Sequence, residues 1–265
     1  VIRSRTDQGS PGARLLGFGG YQPSGVLGSD ELGSRFGKDG DWVQVRTGML
    51  TRRVASTDEQ LVDMAAPAAR DALDAAGLDP GRIDLMIVAS CTAAPPHGVA
   101  PQLGRALGIP GAAALDLNAA CAGFCYSVTA ASDAVRTGSA EHVLVVGVEK
   151  MTAWVEPDDL PTAIVFGDGA GAAVIGPSDE PGIGPVVWGS DGSQAELIHI
   201  NADQMIRMNG QAVFRWATSE MPAVALEACR RAGVAPTELA AIVPHQANLR
   251  IVDALARQLE APKAV

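Results

Sequence analysis

Residues 69–88 and 225–244 of this 265-residue chain run in step. At a constant offset of 156, Ala69-Arg-Asp-Ala-Leu-Asp-Ala-Ala-Gly77 lies over Ala225-Leu-Glu-Ala-Cys-Arg-Arg-Ala-Gly233, Pro80 over Pro236 and Ile83 over Leu239. The apolar run ending at Val88 likewise lies over the one ending at Pro244. Each passage reads as a helix, a glycine stop, a short proline-bearing loop and a buried strand. Gly at the C-terminal stop with Pro nearby is common, so the match can arise without duplication. The sharper reading is a duplicated half-domain, two similar α/β units packed face to face, and it restricts the fold far more than any single element does.

The intervening elements agree with an α/β alternation. Ser56-Thr-Asp-Glu59 reads as a capping box, followed at helical spacing by Leu61, Met64, Ala65, Ala68, Ala69, Ala72 and Leu73, with a kink predicted at Pro67. Asp84 to Ala89 is a strand apolar on both faces, as when helices cover both sides of a sheet. A helix around Pro101 to Leu107, a strand Ala113 to Leu117, a helix from about Ala122 to Arg136 and a buried strand His142 to Val148 follow. Phe166-Gly-Asp-Gly-Ala-Gly171 lacks the Lys-Ser/Thr of a phosphate-binding loop and the Gly spacing of a dinucleotide turn, so close strand packing explains its glycines better.

Composition excludes several function classes. A hydrophobic share of 47% with 19% charged residues supports a large core, and a net charge of −10 leaves no overall cationic field for nucleic acid or anionic lipid. Apolar runs stop far short of the ~20 residues of a membrane span. Val1 to Ala13 reads as a loose polar tail without a secretory apolar segment, which with four unframed cysteines points to free thiols in a reducing, cytoplasmic setting. The four histidines, His97, His142, His199 and His245, are scattered, and no metal is expected.

Two positions stand out chemically. In Ala113-Ala-Leu-Asp-Leu-Asn118-Ala-Ala-Cys121-Ala-Gly123-Phe-Cys125, a strand ends, small residues turn the chain and a helix begins. Cys121 at that N-terminus meets unpaired amides and the positive dipole end, which favour thiolate, while Ala119, Ala120 and Gly123 leave room for a carbonyl. Cys125 reads as a packing residue. His245, in Ala240-Ala-Ile-Val-Pro244-His245, is expected just past the C-terminal end of a buried strand, where ligands gather in open α/β sheets. Its repeat counterpart is Ala89, so the two halves carry different chemistry.

The chain resembles the β-ketoacyl-acyl carrier protein synthase III enzymes of the thiolase-like superfamily. Gly17-Phe-Gly-Gly-Tyr-Gln-Pro23, Trp42-Val-Gln-Val-Arg46-Thr47-Gly48, the Cys121-Ala-Gly-Phe segment, Phe166-Gly-Asp-Gly-Ala-Gly-Ala and Pro244-His-Gln-Ala-Asn-Leu-Arg250-Ile carry the resemblance. It implies a five-layered αβαβα sandwich of two similar halves, here 14–176 with the nucleophilic Cys and 177–265 with the His, the second cut short by the end of the chain. It further implies a homodimer, an acyl group taken from acyl-CoA by Cys121, and decarboxylation of malonyl-acyl carrier protein assisted by His245. The product is a β-ketoacyl-acyl carrier protein that primes fatty-acid or polyketide synthesis. Trp42 and Arg46 match positions that contact coenzyme A, Arg215 and Arg250 offer positive charge to an acidic carrier protein, and Arg230 and Arg231 add to it. No cofactor is implied, acyl-CoA being a substrate. The family's third active-site residue, an Asn in Gly-Asn-Thr-Ser, falls beyond Val265, and Asn248 is not taken in its place. The stretch Gly189 to Met208 is shorter than usual, Leu160 stands where an Arg often holds the adenine end, and Pro96 lies in the acyl-pocket region. Two alternatives stay open: an acyltransferase passing an acyl group through Cys121 to an alcohol or amine, and a catalytically silent partner subunit.

Overall fold

The computed structural model describes residues 9–93 and 98–261; Pro96 and His97 lie outside them. In chain order the elements are β1 (Gly12–Tyr21), β2 (Gly25–Gly28), α1 (Ser29–Ser34), α2 (Gly40–Thr47), β3 (Thr51–Val54), α3 (Leu61–Ala76), β4 (Leu85–Ala89), α4 (Val99–Ala106) and β5 (Ala113–Leu117). Then follow α5 (Gly123–Arg136), β6 (Val143–Lys150), α6 (Leu160–Ala163), β7 (Asp168–Ser178), β8 (Ile198–Ile200), β9 (Ile206–Met208), α7 (Gly210–Ala232) and α8 (Leu249–Gln258). They form two compact units, one of residues 1–25, 53–150 and 167–184, the other of 26–52, 151–166 and 185–265.

The first unit is built on a five-stranded mixed sheet in the order β1-β7-β6-β4-β5, with β4 parallel to both β5 and β6, and β7 antiparallel to β1 and β6. Period-two alternation divides each central strand between two cores. Met86, Val88, Leu144, Val146, Ala172 and Val174 join the α3 and α4 side. Ile87, Val143, Val145, Ala173 and Ile175 join Ala131 and Val135 of α5 on the other. The expectation of a strand covered on both faces is met at β4. Gly12 and Ala13, read from sequence as tail, belong to β1, with Ala13 fully buried.

Small residues let α3 lie directly on β1. A Cβ at Gly19 would come within 2.2 Å of the Ala68 carbonyl oxygen, and one at Gly17 within 2.5 Å of that of Ala72, whereas at Gly20 the nearest atom is 3.9 Å away. Gly19→Ala is therefore expected to cost about 3 kcal/mol or more in urea unfolding, with Gly20→Ala as the tolerated control. Equal effects of the two would refute the close approach. α3 runs through Pro67 and begins one turn later than the sequence suggests. Ser56 and Glu59 form a turn of their own, Ser56 N–H donating to Glu59, while the helix is capped by Asp63 accepting the Gln60 N–H at 2.9 Å. The other Glu59 oxygen accepts the Tyr21 hydroxyl at 2.7 Å.

The repeat is written in hydrogen bonds. Leu78 N–H donates to Leu73 O, Gly77 to Asp74 O, Arg82 to Asp79 O and Ile83 to Pro80 O; 156 residues on, Val234 donates to Cys229 O, Gly233 to Arg230 O, Glu238 to Ala235 O and Leu239 to Pro236 O. Both helices stop at left-handed glycines, Gly77 at φ 60° and Gly233 at φ 68°. The two passages part where the strand should follow. β4 forms, but residues 240–244 hold only an isolated bridge at Ile242, and Val243 is 75% exposed. A strand exists only with neighbours to complete its ladder, and beyond residue 184 the described strands are the short β8–β9 hairpin alone. The second unit's core is small, centred on Leu32, Val43, Ala163 and Ile164.

Candidate active site

Cys121 sits in a single 3-10 turn, residues 120–122, between β5 and α5. Ala120 precedes it at φ 46°, a left-handed conformation costly for a residue with a Cβ, and its N–H donates to Asn118 Oδ1 at 3.1 Å. Gly123 opens α5 where a side chain would meet Ala89 Cβ at 3.1 Å, so its smallness serves helix-to-sheet packing rather than access to the sulfur. The thiol departs from expectation. Its pKa is raised, because desolvation by surrounding protein outweighs the favourable backbone hydrogen bond, and the Glu149 carboxylate adds to the rise. Solvent still reaches the residue. Cys125 is exposed, contrary to its reading as a packing residue, because α5 turns Ser127, Ala131 and Val135 inward.

Glu149 is the residue that sequence reasoning missed. It ends the apolar run of β6 and gathers the loop after β4, accepting the N–H groups of Cys91 at 2.8 Å and Thr92 at 3.0 Å and the Thr92 hydroxyl at 2.6 Å. Its charge, after desolvation, helps push the Cys91 thiol to about 12. The available signal was a lone carboxylate closing an otherwise apolar strand. Elsewhere in this unit, Asp84, Glu141 and His142 place three ligand-type atoms within 4.8 Å of one another. Asp84 already accepts the backbone N–H groups of Glu141 and His142, and Glu141 pairs with Arg82.

His245 belongs to the second unit and lies in irregular backbone, not after a strand. Protein around the ring lowers its pKa, which keeps the imidazole neutral at pH 7. Asn248 cannot stand in for a catalytic amide, since its Oδ1 accepts the Ile251 N–H at 3.0 Å and caps α8.

The structure brings Trp42, Arg46, Arg215 and Arg250 together on one cleft of about 910 Å³ in the second unit, with Leu160 in its wall. The Arg46 guanidinium carbon lies 3.7 Å from the Trp42 ring centroid, a stacked cation, and Arg250 lies 5.4 Å from that of Phe214. Opposed on the β8–β9 ladder, His199 and Arg207 also line it, Arg207 paired with Glu156. Arg230 and Arg231 take no part. Both are bound to Glu227, whose carboxyl their hydrogen bonds hold at about 2, which leaves Arg215 and Arg250 as the arginines of that group at the cleft.

Comparison with known proteins gives the chain a family. The model of 3-oxoacyl-[acyl-carrier-protein] synthase III matches residues 115–192, and that of its C-terminal part residues 229–265. β-Ketoacyl-[acyl-carrier-protein] synthase III 4 of Streptomyces coelicolor is 45% identical, over 96% of this chain and 82% of its own length. The mycobacterial synthase III of Mycolicibacterium paratuberculosis is 42% identical, over 93% and 77%. Among solved structures, the priming β-ketosynthase of the R1128 polyketide pathway superposes with a TM-score of 0.93 at 39% identity, covering 100% of this chain and 84% of that one. The 3-oxoacyl-[acyl-carrier-protein] synthase III of Aquifex aeolicus gives 0.89 at 36% identity, over 95% and 82%.

Fold and relatives together define a condensing enzyme of the acyltransferase class with the thiolase-like α/β fold. The chain belongs to the 3-oxoacyl-[acyl-carrier-protein] synthase III family.

Proposed function

We propose that the protein joins an acyl-CoA primer to malonyl-acyl carrier protein by decarboxylative Claisen condensation through an acyl-Cys121 intermediate, priming fatty-acid or polyketide synthesis. The observation that carries this reading is Cys121 on a strained turn at the strand-to-helix junction of the first unit. Its thiolate attacks the thioester carbonyl, and coenzyme A is expelled as the thiolate, which takes from solvent the proton that Cys121 gave up. Malonyl thioester then loses carbon dioxide, the released electron pair forms an enolate, and the enolate attacks the acyl-cysteine and expels the Cys121 thiolate. Neutral His245 donates from Nε2 to the developing enolate oxygen, and backbone N–H groups at Cys121 stabilise the tetrahedral oxyanion.

In this reading Trp42 and Arg46 receive the nucleotide end of coenzyme A, supported by their position on the cleft, and Arg215 and Arg250 receive the acidic carrier protein. Residues 14–176 and 177–265 are the two halves of a duplication, supported by the repeated hydrogen bonds. A homodimer is supported by β5, an edge strand whose residues 113–116 are exposed, with Leu115 at 45%. The chemistry needs no metal or redox cofactor, and a cytoplasmic setting suits free thiols and these substrates. No helix among the described residues is long and apolar enough to cross a membrane.

Incubation with a panel of acyl-CoAs and malonyl-acyl carrier protein tests the reading, with Cys121 acylation followed by intact mass and carbon dioxide release in the same samples. Acylation with decarboxylation and a β-keto product is expected. Acylation without condensation would favour acyl transfer to an alcohol or amine, and absence of both would favour a silent partner subunit.

A further inference from the structure

Arg52 is a buried cation that the reaction described above does not use. It is 4% exposed, one residue into β3. Its Nε donates to the Ile164 carbonyl at 3.0 Å, as does Nη2. Nη1 donates to Ser29 Oγ at 2.7 Å, and Nη2 also to Thr47 Oγ1 at 3.2 Å. The two hydroxyls are themselves oriented, Ser29 donating to the Met49 carbonyl and Thr47 to that of Val43. Every acceptor of this guanidinium is neutral. Among the described residues no carboxylate forms an ion pair with it. Burial lowers its pKa, but an arginine stays protonated at neutral pH.

A buried charge without a counter-ion is expensive, and most proteins avoid it or pair it. Here its position matters. Two of its three partners, Thr47 and Ile164, line the same cleft as Trp42 and Arg46, so the guanidinium stands one layer behind the cleft wall. Little solvent screens a charge on that side, in contrast to the exposed Arg46, Arg215 and Arg250 at the rim. The fork also ties the end of α2, through Thr47, to the residue that follows α6, through the Ile164 carbonyl.

We propose that Arg52 is a positioning residue of the donor cleft: its fork holds Thr47 and the Ile164 carbonyl in the wall, and its positive charge, in an ion pair with no carboxylate among the described residues, opposes that of Asp159 and Glu196 in the same lining and favours a donor bearing phosphate groups. This rests on the reading of the cleft as the coenzyme A end of the site. The residue touches no substrate and acts through the wall it supports. Its effect is therefore selective for the anionic part of the ligand.

The test measures calorimetric dissociation constants of wild type, R52Q and R52K for coenzyme A and for pantetheine, which has the same thiol arm and no phosphate. R52Q is expected to weaken coenzyme A about tenfold or more and pantetheine less than about twofold, with R52K recovering part of the loss because it restores charge without the fork. If R52Q weakens both ligands equally, Arg52 is only a structural strap and the proposal falls; if it weakens neither, the charge is not felt in the cleft and the proposal falls as well. Should R52Q fail to fold by circular dichroism, R52K alone decides, a several-fold loss confined to coenzyme A supporting the proposal and equal changes overturning it. A wild-type protein that binds no coenzyme A would instead overturn the donor reading on which the proposal stands.

Discussion

Cys121→Ala is expected to abolish productive acylation and to reduce β-keto product formation by about 10⁴-fold or more, since it removes the nucleophile that forms the thioester intermediate at the strand-to-helix junction. Intact mass after incubation with the preferred acyl-CoA should show no adduct on the variant and one acyl group on wild type. Cys91 cannot substitute, because desolvation and Glu149 hold its thiol near 12 and keep it protonated. The pH dependence follows from the same balance. With the Cys121 pKa above that of an ordinary thiol, the free enzyme carries a minor thiolate fraction at pH 7, and that fraction rises tenfold per pH unit up to the pKa. Alkylation of Cys121 by iodoacetamide should therefore climb through the whole neutral range, and Glu149→Gln should displace the profile to lower pH by removing the carboxylate charge. A plateau below pH 7 in the wild type would show that the helix terminus, not desolvation, governs the thiol.

His245→Ala is expected to separate the two half-reactions. Acylation of Cys121 should persist, while carbon dioxide release from malonyl-acyl carrier protein falls by about 10² to 10⁴-fold, the range for loss of one positioned proton donor. The wild-type profile has a definite sign. His245 works neutral, and burial lowers its pKa below the usual 6.5, so condensation from the pre-acylated enzyme should hold across neutral pH and fall only on acidification through that lowered value. Equal loss of acylation and decarboxylation in the variant would mean that His245 supports the fold or the thiol and not the enolate.

These predictions rest on features of unequal legibility. The αL glycine, the proline-opened turn and the extended residue after it repeat bond for bond at 156 residues' separation, because such passages are set by local backbone chemistry that a short segment carries with it. β4 and β6 were legible for a related reason, since near-continuous apolar runs have no other place than a sheet covered on both faces. The strand expected before His245 failed on non-local grounds, because a strand needs a neighbouring ladder and the described strands beyond residue 184 are β8 and β9, paired with each other. Capping at α3 also shifted by a turn, to the reciprocal pair Gln60 and Asp63, a second box four residues on from the one read at Ser56 and Glu59.

By itself the sequence determined the α/β class, the matching helix-stop passages, the small-residue junction at Cys121 and the family, all carried by periodicity, local turn chemistry and contiguous motifs. Only the tertiary structure decided the electrostatics. The helix terminus favours thiolate, but desolvation and the Glu149 charge, 28 positions away in the chain, reverse the sign. Likewise, the Trp42 and Arg46 segment acquires its meaning when α7, α8 and the β8–β9 hairpin close a cleft around it, with Arg52 buried behind the wall. Burial and the distances between charges depend on which distant segments meet, so they set pKa values and ligand preference only once the chain is folded.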